Sequence, residues 1–187
     1  MKIVLLRHCE VEEEYQGCYN GHNDIGLSRR GREDAKRVAK RFAGELFERV
    51  YCSDLRRARE TLEPFEQAKD AIYTEKLREK SWGRHEGKRF EQIIAEEKIE
   101  YKSFAQWIEA LDGEDSQSYV KRIEALFFEE FASLDAKRIL VVTHVGVIRT
   151  LMAIVKKIPL EEAFGIALPY GEFVVFDTKE KCFSTVK

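Results

Sequence analysis

The chain has 187 residues, 44% of them hydrophobic and 35% charged, and its 32 Lys and Arg nearly balance 34 Asp and Glu. That length suits one domain with a core of its own. A net charge of −2 gives no general electrostatic pull toward nucleic acid or an anionic membrane surface. No apolar run approaches the ~20 residues that cross a bilayer, and Arg7 interrupts the first apolar segment where a secretory leader would continue. Cys9, Cys18, Cys52 and Cys182 form no close pair, so free thiols in a reducing cytoplasm are expected.

Ile3 to Leu6 is an unbroken apolar run, as in a strand buried on both faces, and Arg7-His8 follows at once. A polar, glycine-bearing loop runs from Glu10 to Leu27. Ser28 is a good N-cap for a helix with an apolar stripe of Val38, Ala39 and Phe42, and Gly44 is a terminator. Phe47 to Cys52 reads as a second strand. Ser53 or Asp54 could cap the helix that follows, which Pro64 does not let run onward. Ala71 to Glu75 is a short strand candidate. From Phe90 to Phe131 the pattern is helical in pieces, broken at Asp112-Gly113-Glu114-Asp115, with Tyr119, Ile123, Leu126, Phe127 and Phe131 on one face. Arg138 to Thr143 is the clearest strand, followed by His144 and an apolar helix to about Val155. Pro159 begins a short segment, Phe173 to Phe176 is a last strand, and Cys182 to Val186 is its hairpin candidate. Strands alternating with helices give an α/β fold with a largely parallel sheet.

Three strands end alike. The first delivers Arg7 and His8, the second Ser53-Asp54 with Arg57 one turn on, and the fourth His144 at a helix start. In a parallel sheet these junctions open on one edge, where ligands of open α/β sheets bind. Two guanidiniums and helix-start N–H groups are what a phosphoryl group asks for. Arginines around an imidazole favour its neutral form, which can attack phosphorus. An acid must then protonate the departing oxygen. Glu79 suits that role, with Glu75, Glu86 and Glu91 nearby as competitors. A cysteine-phosphatase reading fails on spacing and charge: six positions beyond Cys52 is Ala58, six beyond Cys9 is Tyr15, and the Cys9 loop is acidic.

Leu5-Leu6-Arg7-His8, Gly21 to Ser28, Cys52 to Thr61, Leu77-Arg78-Glu79 with Trp82-Gly83 and Glu86-Gly87, and Thr143 to Arg149 together resemble the phosphoglycerate-mutase-like histidine phosphatase superfamily. The resemblance runs in order from residue 3 to about residue 155. It implies a three-layer α/β/α sandwich with a mostly parallel central sheet, a single domain over 1–187 with a helical insertion around 87–133. It also implies that His8 is the nucleophile and becomes a phosphohistidine. Arg7, Arg57 (rather than Arg56 or Arg59) and His144 would clamp the phosphoryl oxygens, with the backbone donor of Val145. Glu79 would be the proton donor. No metal and no organic cofactor is implied.

Within the superfamily, the Cys18-Tyr19-Asn20-Gly21-His22 segment, Pro169-Tyr170-Gly171 and the compact size look most like α-ribazole phosphatases, phosphomonoesterases of cobalamin assembly. Departures are Cys9 and Val145, where glycine usually follows each histidine, and Glu14, where many relatives carry a phosphate-contacting asparagine. Cys9 is expected to crowd the pocket floor, and to be inert or a site of oxidative inhibition. Glu14, Asn20, His22 and Trp82 are the candidates for contact with the rest of the substrate, and His22 and His85 are read as loop or rim residues. The acidic run Glu10, Glu12, Glu13, Glu14 would, if it borders the pocket, disfavour polyanionic substrates and hence a mutase. The expectation is a phosphomonoesterase for a small metabolite, α-ribazole 5′-phosphate among the candidates. A phosphoglycerate-type mutase and a non-catalytic phosphate-binding relative are the alternatives. The expected partner is a small phosphomonoester alone.

Overall fold

The order of the strands in the sheet follows from how each run of apolar residues is covered. In the computed structural model, which describes residues 1–184, β1 (Lys2–Arg7), β2 (Arg49–Ser53), β3 (Ile72–Thr74), β4 (Arg138–Thr143), β5 (Phe173–Asp177) and β6 (Cys182–Ser184) form one sheet in the order β3-β2-β4-β1-β5-β6. The first four run parallel, β5 runs antiparallel to β1, and β6 antiparallel to β5. The hairpin candidate Cys182 to Val186 is met by β6; Thr185 and Val186 lie outside the described residues.

Strand residues alternate between faces. Ile3, Leu5, Ile139, Val141, Val174 and Phe176 join one apolar cluster, and Val4, Leu6, Leu140, Val142, Phe173 and Val175 join another. The first is covered by α5 (Ser116–Ala125), a turn of π-helix at Leu126–Glu130 and α6 (Val145–Lys156). The second is covered by α1 (Arg29–Arg41) and α2 (Arg56–Leu62). The result is three layers, α/β/α, as the family resemblance implies.

Within 87–133 two parts differ. Tyr119, Ile123, Leu126, Phe127 and Phe131 pack on the sheet as their spacing predicts. By contrast, α3 (Phe90–Glu97) and α4 (Phe104–Ala110) gather around a small cluster of their own, Trp82, Ile93, Trp107 and Leu111. A short α7 (Leu160–Phe164), capped by Pro159, closes the set.

Two ends of helices show where local reading succeeds and fails. Ser28 Oγ accepts the Gly31 N–H at 2.9 Å, as expected of an N-cap. At α2 neither Ser53 nor Asp54 caps. The N-cap is Leu55, without a side-chain bond, and the Arg56 N–H is instead taken by Asp24 Oδ1 at 2.6 Å. Asp54 is drawn away by Arg78, which donates from Nε (2.8 Å) and Nη2 (2.5 Å) to its two oxygens. A loop residue far along the chain thus supplies the cap and ties the loop to the helix bearing Arg57.

Gly31 lies where α1 passes the loop after His8, and a Cβ there would overlap the Glu10 carbonyl oxygen. Gly31→Ala is therefore expected to destabilise by about 1–3 kcal/mol, read as a lower urea midpoint at unchanged slope.

Candidate active site

Register brings the two histidines together. Arg7 pairs with Thr143 across the parallel β1–β4 ladder, so the next residues, His8 and His144, leave the sheet side by side with ring centroids 5.2 Å apart. His8 is fixed on both sides, its N–H on the Thr143 carbonyl (2.9 Å) and its carbonyl accepting the Gly171 N–H (3.2 Å). From β2 comes Ser53, whose Oγ lies 2.8 Å from His144 Nε2.

The His8 ring has its Nδ1 2.8 Å from the Cys9 carbonyl oxygen. A carbonyl only accepts, so Nδ1 carries the hydrogen, and in the neutral ring Nε2 is left with a free lone pair. The ring is neutral for a physical reason. Burial pushes its pKa well below 6.5, and the Arg57 and Arg7 cations push it further the same way. Burial ranks ahead of the arginines, which the sequence reading made the whole cause. His144 is lowered likewise, by burial and then by Arg57 and His8.

Arg57 is 1% exposed. Its Nη1 donates to the Asn23 carbonyl (2.8 Å) and its Nη2 to the carbonyls of Gly21 (2.6 Å) and Asn20 (3.3 Å). Burial pulls its pKa down to about 10. The loop that holds it is held in turn by Glu86, whose carboxylate accepts from the backbone N–H groups of Gly21 (2.7 Å), His22 (2.7 Å) and Trp82 (2.9 Å). Arg7 donates from Nη1 to the Leu168 carbonyl (2.6 Å), and its guanidinium lies 3.9 Å from the centre of the Tyr170 ring. Among the described residues, Arg7 Nε, Arg57 Nε and His144 Nδ1 are buried with no hydrogen-bond partner. Three unspent polar groups at one strand-end cluster suit an anion with several oxygens.

A cavity of about 280 Å³ opens there, lined by Arg7, His8, Glu79, Val145, Asn20 and Trp82 among others. Arg57 and His144 stand behind this lining rather than in it. Glu79 is 9% exposed and firmly placed. Its Oε1 accepts from the Tyr119 hydroxyl (2.8 Å) and the Lys80 N–H (3.0 Å), and its Oε2 from the Gly146 N–H (2.8 Å). Val145 begins α6, whose N-cap His144 offers no side-chain bond to the first turn. The Gly146 N–H of that first turn goes instead to Glu79, so the positive end of the helix dipole lies against this carboxylate on the cavity wall.

The outer candidates divide. Asn20 and Trp82 line the cavity, whereas Glu14 sits exposed on the Glu13–Tyr15 turn and, like Glu10, Glu12 and Glu13, does not. The charge argument against polyanionic substrates therefore has no footing in the geometry. His22 is half-buried, its Nε2 3.1 Å from the Glu79 carbonyl. His85 is no rim residue: it is fully buried, its Nε2 on Glu97 (2.8 Å) and its Nδ1 accepting the Asp112 N–H (3.0 Å). Cys9 does not crowd the cavity. It turns into the core with Leu27, Ala35 and Val38, while its N–H goes to Thr61 Oγ1 at 2.9 Å. Burial pushes its thiol up to about 11, against a reactive thiolate. Sequence reasoning placed Tyr119 only on an apolar helix face and gave Thr61 no role of its own, because each acts at the site through a partner tens of residues away.

The two depressed histidines carry a pH signature. An unfolded chain takes up protons near 6.5 that the folded site refuses, so stability falls as pH drops below that value. Thermal unfolding at pH 7.5 and 5.5 measures the loss, and His144→Gln is expected to reduce it.

The model of the family "Histidine phosphatase superfamily (branch 1)" matches residues 3–187. The chain is 29% identical to the adenosylcobalamin/alpha-ribazole phosphatase of Salmonella typhimurium, covering 100% of this chain and 95% of that protein. Among solved structures, the alpha-ribazole phosphatase of Shigella flexneri superposes with a TM-score of 0.85 at 25% identity, covering 100% of this chain and 95% of that one. A phosphoserine phosphatase from Entamoeba histolytica shares the fold, with a TM-score of 0.80 at 24% identity, 100% of this chain and 95% of that chain. With its sequence matched almost end to end and its fold shared, this chain belongs to the histidine phosphatase superfamily.

Proposed function

We propose that the chain hydrolyses a small phosphomonoester by way of a phosphohistidine at His8, with no metal ion, and that α-ribazole 5′-phosphate is the first substrate to try. The observation that carries this reading is the Nδ1–Cys9 carbonyl bond. It leaves the Nε2 lone pair on a ring kept neutral beside the cavity.

The steps balance as follows. Nε2 attacks phosphorus, and the bond from phosphorus to the alcohol oxygen breaks. Glu79, the carboxyl that lines the cavity with His8, gives its proton to the departing oxygen. Water then attacks the phosphohistidine while Glu79 takes a proton back, releasing phosphate and the free ring. The unspent Nε of Arg7, Nε of Arg57 and Nδ1 of His144, with the Val145 N–H, are assigned to the phosphoryl oxygens, where fixed donors stabilise developing charge. Among the described residues no group of three or more His, Cys, Asp or Glu side chains is placed to hold a metal. The name of the Salmonella relative supports α-ribazole 5′-phosphate as the starting substrate.

His8→Ala is expected to abolish turnover and an acid-labile, alkali-stable phosphoenzyme together, read with a radiolabelled ester. Glu79→Gln should lower kcat for an alkyl phosphate by about 10²–10⁴-fold. It should lower it far less for p-nitrophenyl phosphate, whose leaving group departs without a proton. Dialysis against EDTA should leave kcat unchanged; a loss restored by a divalent cation would overturn the metal-free reading.

A further inference from the structure

Beside the phosphoryl cavity lies a second hollow, of about 310 Å³, and Lys80, Trp82 and Phe164 line both. Its remaining wall has a different character. Phe104 and Ile108 from α4 and Pro159 and Leu160 at the start of α7 supply hydrocarbon, with the Phe104 and Phe164 rings 5.3 Å apart. The partition between the two hollows is Tyr119. Its ring lines the second while its hydroxyl donates to Glu79 in the first.

Polar groups in this wall are few and informative. Ser116 Oγ and Thr150 Oγ1 are both buried without a hydrogen-bond partner. The carboxylates that line it, Glu109 and Glu161, oppose a second anionic group by like charge. The cation, Lys80, sits at the shared edge with its Nζ 4.5 Å from the centre of the Trp82 ring. A small-molecule site is typically such a concavity, mostly apolar with a few placed polar groups.

We infer that this second hollow is the subsite for the alcohol part of the substrate, and that it selects an uncharged, apolar body of ring size over a carboxylate-bearing one. The inference rests on phosphoryl transfer in the neighbouring cavity. From there an ester oxygen held near Glu79 points its carbon body past Tyr119 and Trp82 into hydrocarbon. Phosphorylated hydroxy acids and amino acids would place a carboxylate among Glu109 and Glu161 instead.

The test compares kcat/KM for 1-naphthylmethyl phosphate, glycerol 2-phosphate and 3-phosphoglycerate, all with alcohol leaving groups, in the wild type and in Ala105→Trp. Ala105 lies at the exposed rim of this hollow and outside the lining of the phosphoryl cavity. The wild type should favour the naphthylmethyl ester over both others by roughly tenfold or more, and the Trp variant should lose that preference while keeping glycerol 2-phosphate turnover within about twofold. Equal kcat/KM for the three esters, a preference for 3-phosphoglycerate, or a Trp variant that weakens all three alike would overturn the subsite. Binding of 1-naphthylmethylphosphonate against methylphosphonate, by calorimetry, reads the same hollow without turnover. Tighter naphthyl binding with no hydrolysis of any ester would sink the catalytic reading and leave the subsite standing. Hydrolysis with equal phosphonate affinities would do the reverse.

Discussion

A guanidinium withdrawn from water, whose hydrogen bonds go to backbone carbonyls rather than to a carboxylate, is the constraint on which the rest of the site depends. Arg57 keeps its charge in the interior because backbone carbonyls of Asn20, Gly21 and Asn23 surround its terminal nitrogens, and those carbonyls stay in place because Glu86 collects the amides of the same loop. A buried charge without such partners would be strongly unfavourable. The loop between β1 and α1 is therefore not free to wander: it is the solvation shell of Arg57. Asp24, by accepting the Arg56 N–H, fastens the same loop to the helix on which Arg57 sits.

From that arrangement the state of the histidines follows. Two imidazoles buried next to two fixed cations remain neutral, and the Cys9 carbonyl chooses the tautomer of His8. Donors that would be solvated on a surface are held pointing at one another's gap, their reorganisation completed during folding rather than during reaction. Glu79 is treated the same way. The α6 amide at Gly146 and the Tyr119 hydroxyl of α5 grip its two oxygens from two helices of the same layer. Position 146 has to be glycine for this, since a Cβ there would overlap the carboxylate. The sheet supplies the positions, and the layers on either side supply the orientation.

How much of this could be read from residue order alone depends on the range of the interaction. The runs Ile3–Leu6 and Arg138–Thr143 give β1 and β4 because an apolar stretch followed by a polar junction is a local signal, and so is Ser28 before α1. Arg7, His8 and His144 come to one strand end by topology, which the alternation of elements already implies. The α2 cap was misassigned because Asp24 and Arg78, both distant in sequence, outcompete the local choice. Whether the acidic run after His8 borders the pocket could not be read from the sequence, because charge is visible there and direction is not; the run stays outside the lining. Cys9 likewise turns away from the cavity, because the alternation of the pleat breaks after β1 and puts Cys9 in the cluster of Val4 and Leu6 rather than that of Ile3 and Leu5. Tyr119, Thr61 and the apolar hollow depend on pairs of elements tens of residues apart. No window of sequence contains them.

The place of β1 within the sheet has one more consequence. It lies between β4 and β5, with Lys2 opposite both Arg138 and Asp177. During synthesis the strand carrying Arg7 is made well before either neighbour, since β4 and β5 both follow it by more than a hundred residues. Pairings of such long sequence separation form slowly, so this greasy segment must wait uncovered until β4 and β5 are made, a natural client for whatever shields emerging polypeptides.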